Sequence, residues 1–177
     1  VFRKEGELQF KAFLESCLAA KAVAVPRGAA FRLHREVREL SPAEGDVPLQ
    51  WDIRPFYSLI PIQDYYRYGS LGAFSRYNDP EKRFATVLSN RGCRARCTFC
   101  TVRDFNGFGI RQRSVEDVVE EIKFLVRQMG VQQIDWLDDD LLWDPARTVE
   151  LFKRLAEEIP GLEWSSSNGL IAVAISE

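Results

Sequence analysis

Three of the four cysteines in this chain lie within one short segment, RGCRARCTFC, at residues 91–100. They are Cys93, Cys97 and Cys100, with three residues between the first two and two residues between the last two. Cysteine thiolates bind soft metal ions, and a short loop at the end of a strand directs several sulfurs towards one point. The segment therefore predicts a metal or redox site rather than a disulfide framework.

The number of sulfurs restricts which metal group the loop could hold. Structural zinc normally takes four ligands, usually as two separated pairs, and the sequence offers neither a second pair nor a nearby histidine. A [4Fe-4S] cluster held by three thiolates keeps one iron without a protein ligand, available to a small molecule. Two alternatives stay open: a structural metal site completed by another chain, and a simple iron-sulfur electron carrier.

The elements around this segment alternate between strands and helices. The pattern predicts a helix that begins at Ser114 and ends at Gly130, and a second helix with Pro145 in its first turn. Strand, loop, helix and strand in succession are typical of a parallel sheet with right-handed crossovers. The three predicted strands are RFATVLS, VQQIDWL and LEWSSSN.

Polar residues follow each of the three predicted strands. The cysteine loop follows the first, Asp138, Asp139 and Asp140 follow the second, and Asn168 follows the third. In parallel sheets the functional residues lie at the carboxyl ends of the strands. We therefore expect these three segments to meet at one edge of the sheet.

The cysteine motif carries a family resemblance. Three residues separate Cys93 from Cys97, two separate Cys97 from Cys100, and aromatic Phe99 precedes the last cysteine directly. Together with the strand before the loop and the stretch GIRQRSVEDVVEEIKFLVRQMGVQQIDWLDDD after it, this motif resembles the signature of the radical S-adenosylmethionine enzymes. The resemblance covers residues 83–177 and implies a partial TIM-like (β/α) radical SAM barrel.

The resemblance also implies cofactors. Cys93, Cys97 and Cys100 would ligate three irons of a [4Fe-4S] cluster, and the fourth iron would chelate S-adenosylmethionine. Reductive cleavage would then give methionine and a 5'-deoxyadenosyl radical. Phe99 is similar to the family residue that packs near the adenine. An electron donor of the flavodoxin or ferredoxin type is implied as a partner, while the substrate and any catalytic side chain stay unknown.

The acidic triplet departs from the family pattern. The family usually has a Gly-Gly-Glu-like motif at the end of the second strand, where this chain has Leu137 and three aspartates. A carboxylate there accepts a hydrogen bond from an ammonium group, so Asp138 and Asp139 are candidate ligands of the methionine amino group, and Asn168 of the ribose or carboxylate. The alternative for both segments is a solvated loop at the end of a strand.

The amino-terminal part resembles the group of radical SAM enzymes that carry a cobalamin-binding domain. We expect residues 1–21 to be the end of a Rossmann-like domain of that type, 22–82 a hairpin and aromatic connector, and 83–177 the first part of the radical SAM core. The resemblance suggests a methyltransferase. The cobalamin motif with its histidine is absent from this sequence, so cobalamin is an expectation for a longer parent of which this chain would be a fragment.

The remaining residues of interest have simpler interpretations. Cys17 falls on the apolar stripe of a predicted amphipathic helix and is expected to be buried, and His34 is expected on the solvent face of a strand. Arg91, Arg94, Arg96 and Arg103 would offset the charge of a cluster, raise its potential, hold an anionic substrate, or be ordinary solvated arginines. The connector aromatics are expected to anchor against a neighbouring domain rather than to stack on bases; they are Trp51, Phe56, Tyr57, Tyr65, Tyr66 and Tyr68.

The overall composition excludes little but sets the class. The 177 residues include 26 acidic and 24 basic side chains, giving a net charge of -2, so there is no clear signal for nucleic-acid binding. No apolar run approaches the length of a membrane span, and the first residues do not resemble a signal peptide. The expectation is a cytoplasmic α/β enzyme.

Overall fold

In the computed structural model, the description covers residues 6–19, 25, 27–40, 49, 52–68 and 81–172. The chain forms two compact units, one of Val1–Pro48 with Arg96–Phe108 and the other of Leu49–Ala95 with Gly109–Glu177. Within the part of the chain described, no helix has the length and apolar character needed to cross a membrane.

Short strands and longer helices alternate along the chain. The elements are, in order, α1 (Glu7–Leu18), β1 (Ala30–Leu33), β2 (Glu36–Glu39), a 3₁₀ helix (Arg54–Leu59), α2 (Ile62–Tyr68), β3 (Phe84–Val87), β4 (Asn90–Arg91), α3 (Val102–Asn106), β5 (Arg111–Gln112), α4 (Val115–Met129), β6 (Gln133–Trp136), α5 (Pro145–Glu158) and β7 (Glu163–Ser165).

The second unit is built on a parallel sheet with the strand order β3-β6-β7. Val87 pairs with Trp136 and Ile134 with Trp164, so the carboxyl ends of the strands lie at one edge. All four residues of the central strand β6 are buried, as expected for a strand covered on both faces. The predicted parallel sheet and its three strands are confirmed.

The two crossover helices begin and end where the sequence predicts. The Ser114 hydroxyl accepts a hydrogen bond from the Asp117 N–H at 3.1 Å, and Gly130 ends α4 in the left-handed conformation at φ 70°. Pro145 occupies the first turn of α5. Their apolar faces pack with the sheet into one core, which includes Val87, Val118, Ile122, Leu125, Ile134, Trp136, Leu151 and Leu155.

The aromatic connector contributes to this core. Tyr57 and Tyr66 pack against it, and the ring of Tyr66 meets that of Phe84 edge-on with 6.5 Å between centroids. Anchoring is therefore confirmed for these two residues, whereas Phe56 and Tyr65 are exposed. The connector also forms the 3₁₀ helix and α2, which the sequence did not predict because both are too short to show a helical period. Trp51 and the side chain of Tyr68 lie outside the described residues.

Two predictions for the first unit are wrong in detail. His34 and Arg35, both at positive φ, form the turn between β1 and β2, so His34 is not on a strand. Helix α1 is confirmed, but none of its residues is buried and Cys17 is exposed. The helical period locates an apolar face and does not determine whether another element covers it.

Candidate functional site

The cysteine loop leaves the parallel sheet after β3 and is closed at its base by a two-stranded ribbon. Asn90 pairs with Gln112 and Arg91 with Arg111 in antiparallel register. We call residues 87–95 and 109–113 the loop root, and residues 96–108 the outer segment. Cys93 belongs to the loop root, and Cys97 and Cys100 belong to the outer segment.

The ribbon requires a glycine directly before the first cysteine. Gly92 has φ 104°, a conformation that L side chains rarely adopt, and a Cβ at this position would lie 2.2 Å from the carbonyl oxygen of Gly109. Both strands therefore approach each other at a distance that no other residue permits. This close approach fixes the backbone immediately before Cys93.

The three cysteines differ in their surroundings. Cys93 is half-buried, and its sulfur accepts a hydrogen bond from the Ala95 N–H at 3.4 Å. Cys97 and Cys100 are exposed, and the Cys100 N–H donates to the Cys97 carbonyl at 3.2 Å, which closes a turn. None of the chain's cysteines forms a disulfide. Among the described residues, no three His, Cys, Asp or Glu side chains are grouped so as to hold a metal ion.

The donor set of the loop fits an iron-sulfur cluster in its chemistry. Its three donors are all thiols, which suit iron-sulfur clusters and other soft metal groups. A backbone N–H directed at a ligand sulfur is one of the contacts through which proteins tune such clusters, and Ala95 supplies one to Cys93. The tight glycine turn beside Cys93 likewise suits a loop that surrounds a bulky inorganic group.

The first residue of the acidic triplet is enclosed by the fold. Asp138 is fully buried, and both of its carboxylate oxygens accept hydrogen bonds from the segment that follows β3. Ser89 donates its N–H at 3.0 Å and its hydroxyl at 2.5 Å, and Asn90 donates its N–H at 2.8 Å. Burial raises the pKa of Asp138, while the bonds from Ser89 and Asn90 lower it. The Asp138 carboxylate therefore fixes the backbone at Ser89 and Asn90, where the cysteine loop begins.

The last residue of the triplet pairs with an arginine of the loop. Asp140, also buried, accepts from Arg94 Nε at 2.7 Å and Nη2 at 2.8 Å, which is the two-pronged geometry of a strong ion pair. The Arg94 guanidinium also donates to the Leu142 carbonyl at 2.8 Å and lies 5.2 Å from the centre of the Trp143 ring. Arg94 is thus not an ordinary solvated arginine.

The other predicted cosubstrate residues are more accessible. Asp139, between the two buried aspartates, is half-buried, and burial raises its pKa above the usual range for an aspartate. Asn168 is exposed, and its amide donates to the Leu137 carbonyl at 2.9 Å, so it lies beside the end of β6. Phe99 is 87% exposed. The sheet therefore brings Asp139 and Asn168 to the same edge.

A buried acid within β6 was missed by sequence reasoning. Asp135 accepts hydrogen bonds from the Ser165 hydroxyl at 2.8 Å, from the Ser167 N–H at 3.0 Å and from the Ser167 hydroxyl. The carboxylate thereby orients the loop that carries Asn168. The signal available in the sequence was an aspartate in the otherwise apolar strand VQQIDWL, followed downstream by three serines.

A second group that sequence reasoning missed connects the loop root to α4. Arg113 is buried and donates to the Leu88 carbonyl at 3.0 Å and to Glu121 at 2.5 Å, while its N–H donates to the Ser89 carbonyl at 2.9 Å. The Tyr57 hydroxyl donates to the other oxygen of Glu121 at 3.0 Å. Burial raises the pKa of Tyr57 well above its usual value, and the charge of Glu121 adds to the shift.

The fold and the loop together define an α/β protein with three cysteines in the loop that follows the first strand of a parallel sheet. Comparison with known proteins identifies the class more closely. Residues 87–176 match the family model of the Radical SAM superfamily, and the chain belongs to this superfamily. The match begins at the end of β3 and includes the cysteine loop, the acidic triplet and β7.

Relatives and solved structures agree with this assignment. The chain is 27% identical over 173 residues to an uncharacterized methyltransferase of Pyrococcus horikoshii, and 29% identical over 187 residues to the cytidylyl-2-hydroxyethylphosphonate methyltransferase of Streptomyces wedmorensis. These matches cover 95% and 96% of this chain but 34% and 35% of the relatives. The chain thus spans about a third of the length of these proteins.

The solved structures confirm the fold. The radical S-adenosylmethionine methyltransferase TsrM from Kitasatospora setae, with cobalamin and a [4Fe-4S] cluster bound, superposes with a TM-score of 0.61 at 17% identity, over 89% of this chain and 30% of TsrM. The same enzyme with tryptophan and a SAM analogue bound gives 0.62 at 18% identity, over 89% and 29%. The chain has a partial radical SAM fold.

Proposed function

We propose that this chain is the cluster-binding part of a radical SAM enzyme, with Cys93, Cys97 and Cys100 as the ligands of a [4Fe-4S] cluster. The observation that carries the proposal is the three-thiol motif at the end of β3, inside the segment that matches the superfamily. When bound, such a cluster supplies one electron for the cleavage of S-adenosylmethionine to methionine and a 5'-deoxyadenosyl radical.

The residues of this chain would bind and orient the cosubstrate. Asp139 is our candidate for the methionine amino group, since both oxygens of its neighbour Asp138 already accept bonds from Ser89 and Asn90. Asn168, beside the end of β6, is the candidate for the ribose or carboxylate. Phe99 is proposed to contact the adenine, because of its place in the motif and its exposed ring.

Methyl transfer is the reaction we propose for the whole protein. Support comes from two relatives that are named methyltransferases and from the fold of TsrM, a methyltransferase that binds cobalamin. We extend the proposal to cobalamin in a longer protein, with residues 1–21 as the end of its binding domain and 22–82 as the connector. An electron donor of the flavodoxin or ferredoxin type would be required. Cysteines that form no disulfide suit the reducing cytoplasm.

Anaerobic reconstitution with iron and sulfide tests the proposal. We expect the protein to bind iron and acid-labile sulfide, and its electron paramagnetic resonance after reduction to shift when S-adenosylmethionine is added, because the open iron takes the cosubstrate. Cys93→Ala, Cys97→Ala and Cys100→Ala should each lose the cluster. Cys17→Ala is the matched control, since Cys17 is an exposed cysteine outside the motif, and it should bind the cluster as the unaltered protein does.

The opposite results would separate the alternatives. Stoichiometric zinc with no sulfide would make the loop a structural metal site. A [4Fe-4S] cluster whose resonance spectrum does not change when S-adenosylmethionine is added would indicate an electron carrier. Either outcome would overturn the proposed function.

A further inference from the structure

We propose that Asp138 and Asp140 are positioning residues that hold Cys93 in place, and that Arg94 transmits the contact from Asp140. The inference rests on the proposed function of Cys93 as a cluster ligand, and assigns two of the three aspartates to the protein scaffold rather than to the cosubstrate. We call Asp138, Asp140 and Arg94 the Cys93 clamp.

The first contact of the Cys93 clamp is on the chain entering the loop. Asp138 accepts the backbone N–H groups of two successive residues, Ser89 at 3.0 Å and Asn90 at 2.8 Å. All three residues are fully buried, so water does not compete for these bonds. A carboxylate that binds two consecutive amides fixes the direction of the chain, and that direction leads through Gly92 to Cys93.

The second contact is on the chain leaving Cys93. Arg94 is the next residue, and Asp140 accepts its backbone N–H at 3.2 Å as well as both prongs of its guanidinium. The bond to the backbone is independent of the side-chain pair, so Asp140 holds both the main chain and the side chain of Arg94. Only three residues lie between the amides that the two aspartates bind, and Cys93 is one of them.

The Cys93 clamp also gives a role to Arg94, the residue directly after Cys93. The Arg94 guanidinium forms a two-pronged ion pair with Asp140, which matches its charge. The Trp143 ring, whose centre lies 5.2 Å away, further restricts the guanidinium plane. Arg94 therefore orients the backbone beside Cys93 while its charge is paired with Asp140. With the backbone fixed on both sides, the Ala95 N–H reaches the Cys93 sulfur.

Thiol alkylation of the intact protein without its cluster tests the clamp directly. Asp140→Asn and Arg94→Lys keep the approximate size of the side chains but lose the two-pronged ion pair, and Ser89→Ala removes only the hydroxyl bond to Asp138. The readout is the rate of iodoacetamide modification of Cys93 relative to Cys17 in the same molecule, measured by peptide mass spectrometry. We expect the ratio to rise about tenfold in Asp140→Asn and Arg94→Lys, and less in Ser89→Ala.

Controls separate positioning from general loosening of the fold. Because Cys17 is already exposed in the folded protein, unfolding would speed the modification of Cys93 more than that of Cys17. The ratio is therefore compared only among variants whose circular dichroism and urea unfolding show that they are folded. Arg154→Gln, which breaks a partly exposed ion pair with Glu116 on α4 and α5, should leave the ratio at the value of the unaltered protein. An unchanged ratio in folded Asp140→Asn and Arg94→Lys would refute the clamp.

Reconstitution of the same variants gives a second readout. We expect Asp140→Asn to bind less iron and to show a changed resonance spectrum, and Asp140→Glu, which keeps the charge, to recover part of both. Spectra and iron content equal to those of the unaltered protein would also overturn the clamp. If the unaltered protein binds no cluster at all, the proposed function fails, but the alkylation ratio still decides whether the clamp exists.

Discussion

The loop root and the outer segment each contain a part of the cysteine motif, but the two regions differ in burial and in hydrogen bonding. In the loop root, Ser89 and Asn90 are fully buried, and two acids of the loop that follows β6 bind the backbone on both sides of Cys93. In the outer segment, Cys97 and Cys100 are exposed, and Phe99 and Phe108 are each 87% exposed. The backbone around Cys93 is thus held by hydrogen bonds of the sheet unit, whereas Cys97 and Cys100 lie exposed in the outer segment.

The difference separates two properties of the motif, namely binding of the cluster and support by the hydrogen bonds of the fold. All three sulfurs are proposed to be needed for the cluster, and the loop root is tied into the hydrogen bonds of the sheet unit. Substitutions in the loop root should therefore cost stability even without the cluster, and substitutions in the outer segment should mainly affect what is bound. The following predictions test this contrast.

The largest effect is expected from Gly92→Ala. The new Cβ would lie 2.2 Å from a backbone oxygen and the residue has φ 104°, so the ribbon of the loop root must open; we expect a loss of about 4 kcal/mol in the free energy of unfolding. Gly107 in the outer segment has φ 80° and ψ −169°, a conformation nearly restricted to glycine, but nothing lies within 4 Å of a Cβ there, so Gly107→Ala should cost about 2 kcal/mol. Urea unfolding measures both, and equal losses would contradict the contrast.

The next effect concerns the buried ion pair under the loop root. Glu121→Gln leaves the Arg113 guanidinium buried without its opposite charge, and we expect a loss of about 3 kcal/mol. Glu116→Gln, which breaks the pair with Arg154 near the surface, should cost less than about 1 kcal/mol. Urea unfolding at neutral pH compares the two, and a small loss for Glu121→Gln would show that the pair does not support the loop root.

Tyr57→Phe tests the same group through pH. Loss of the hydroxyl bond to Glu121 should cost about 1 kcal/mol at pH 7. Burial raises the pKa of Tyr57 above its usual value of 10.0, so above that pH the unfolded chain loses a proton that the folded chain keeps, and stability falls as pH rises.

Tyr57→Phe lacks this proton, so the stability gap between it and the unaltered protein should narrow above about pH 10, by at most about 1.4 kcal/mol for each pH unit. Thermal unfolding between neutral and alkaline pH measures the gap. A gap that stays constant would mean that Tyr57 titrates alike in the folded and unfolded chain.

The smallest effect on stability is expected in the outer segment. Because Phe99 is 87% exposed, Phe99→Ala should change the free energy of unfolding by less than about 0.5 kcal/mol. It should nevertheless weaken S-adenosylmethionine binding about fivefold, the usual scale of one aromatic contact. Phe105→Ala, at another exposed aromatic position of the same segment, is the control for titration calorimetry. Equal binding by both variants would remove Phe99 from the site.

Much of the sheet unit could be predicted because its signals are local. The helical period of α4 and α5, the cap at Ser114, the glycine at 130 and the proline at 145 each act within one or two turns. The same kind of signal failed for the turn at His34 and Arg35, since positive φ at residues other than glycine has no clear mark in a sequence.

The chemistry of the loop could be predicted from the sequence, but its support could not. The spacing of the cysteines is local, whereas the bond between Ser89 and Asp138 joins residues 49 positions apart. Three successive aspartates look alike in a sequence, and only the fold shows that Asp138 and Asp140 are buried while Asp139 is partly exposed. The pairing of Arg94 with Asp140 could not be distinguished in advance from a solvated arginine.

The distance in sequence between the cysteines and their aspartates also affects how the protein is made. A ribosome synthesises the chain from its amino terminus, so Cys93, Cys97 and Cys100 are made before Asp138 and Asp140 have been added. During that interval the thiols have the flexibility of a nascent peptide and are open to oxidation or to the wrong metal. Under the proposed function, a cluster that binds a positioned Cys93 would therefore be delivered after Asp138 and Asp140 have been synthesised.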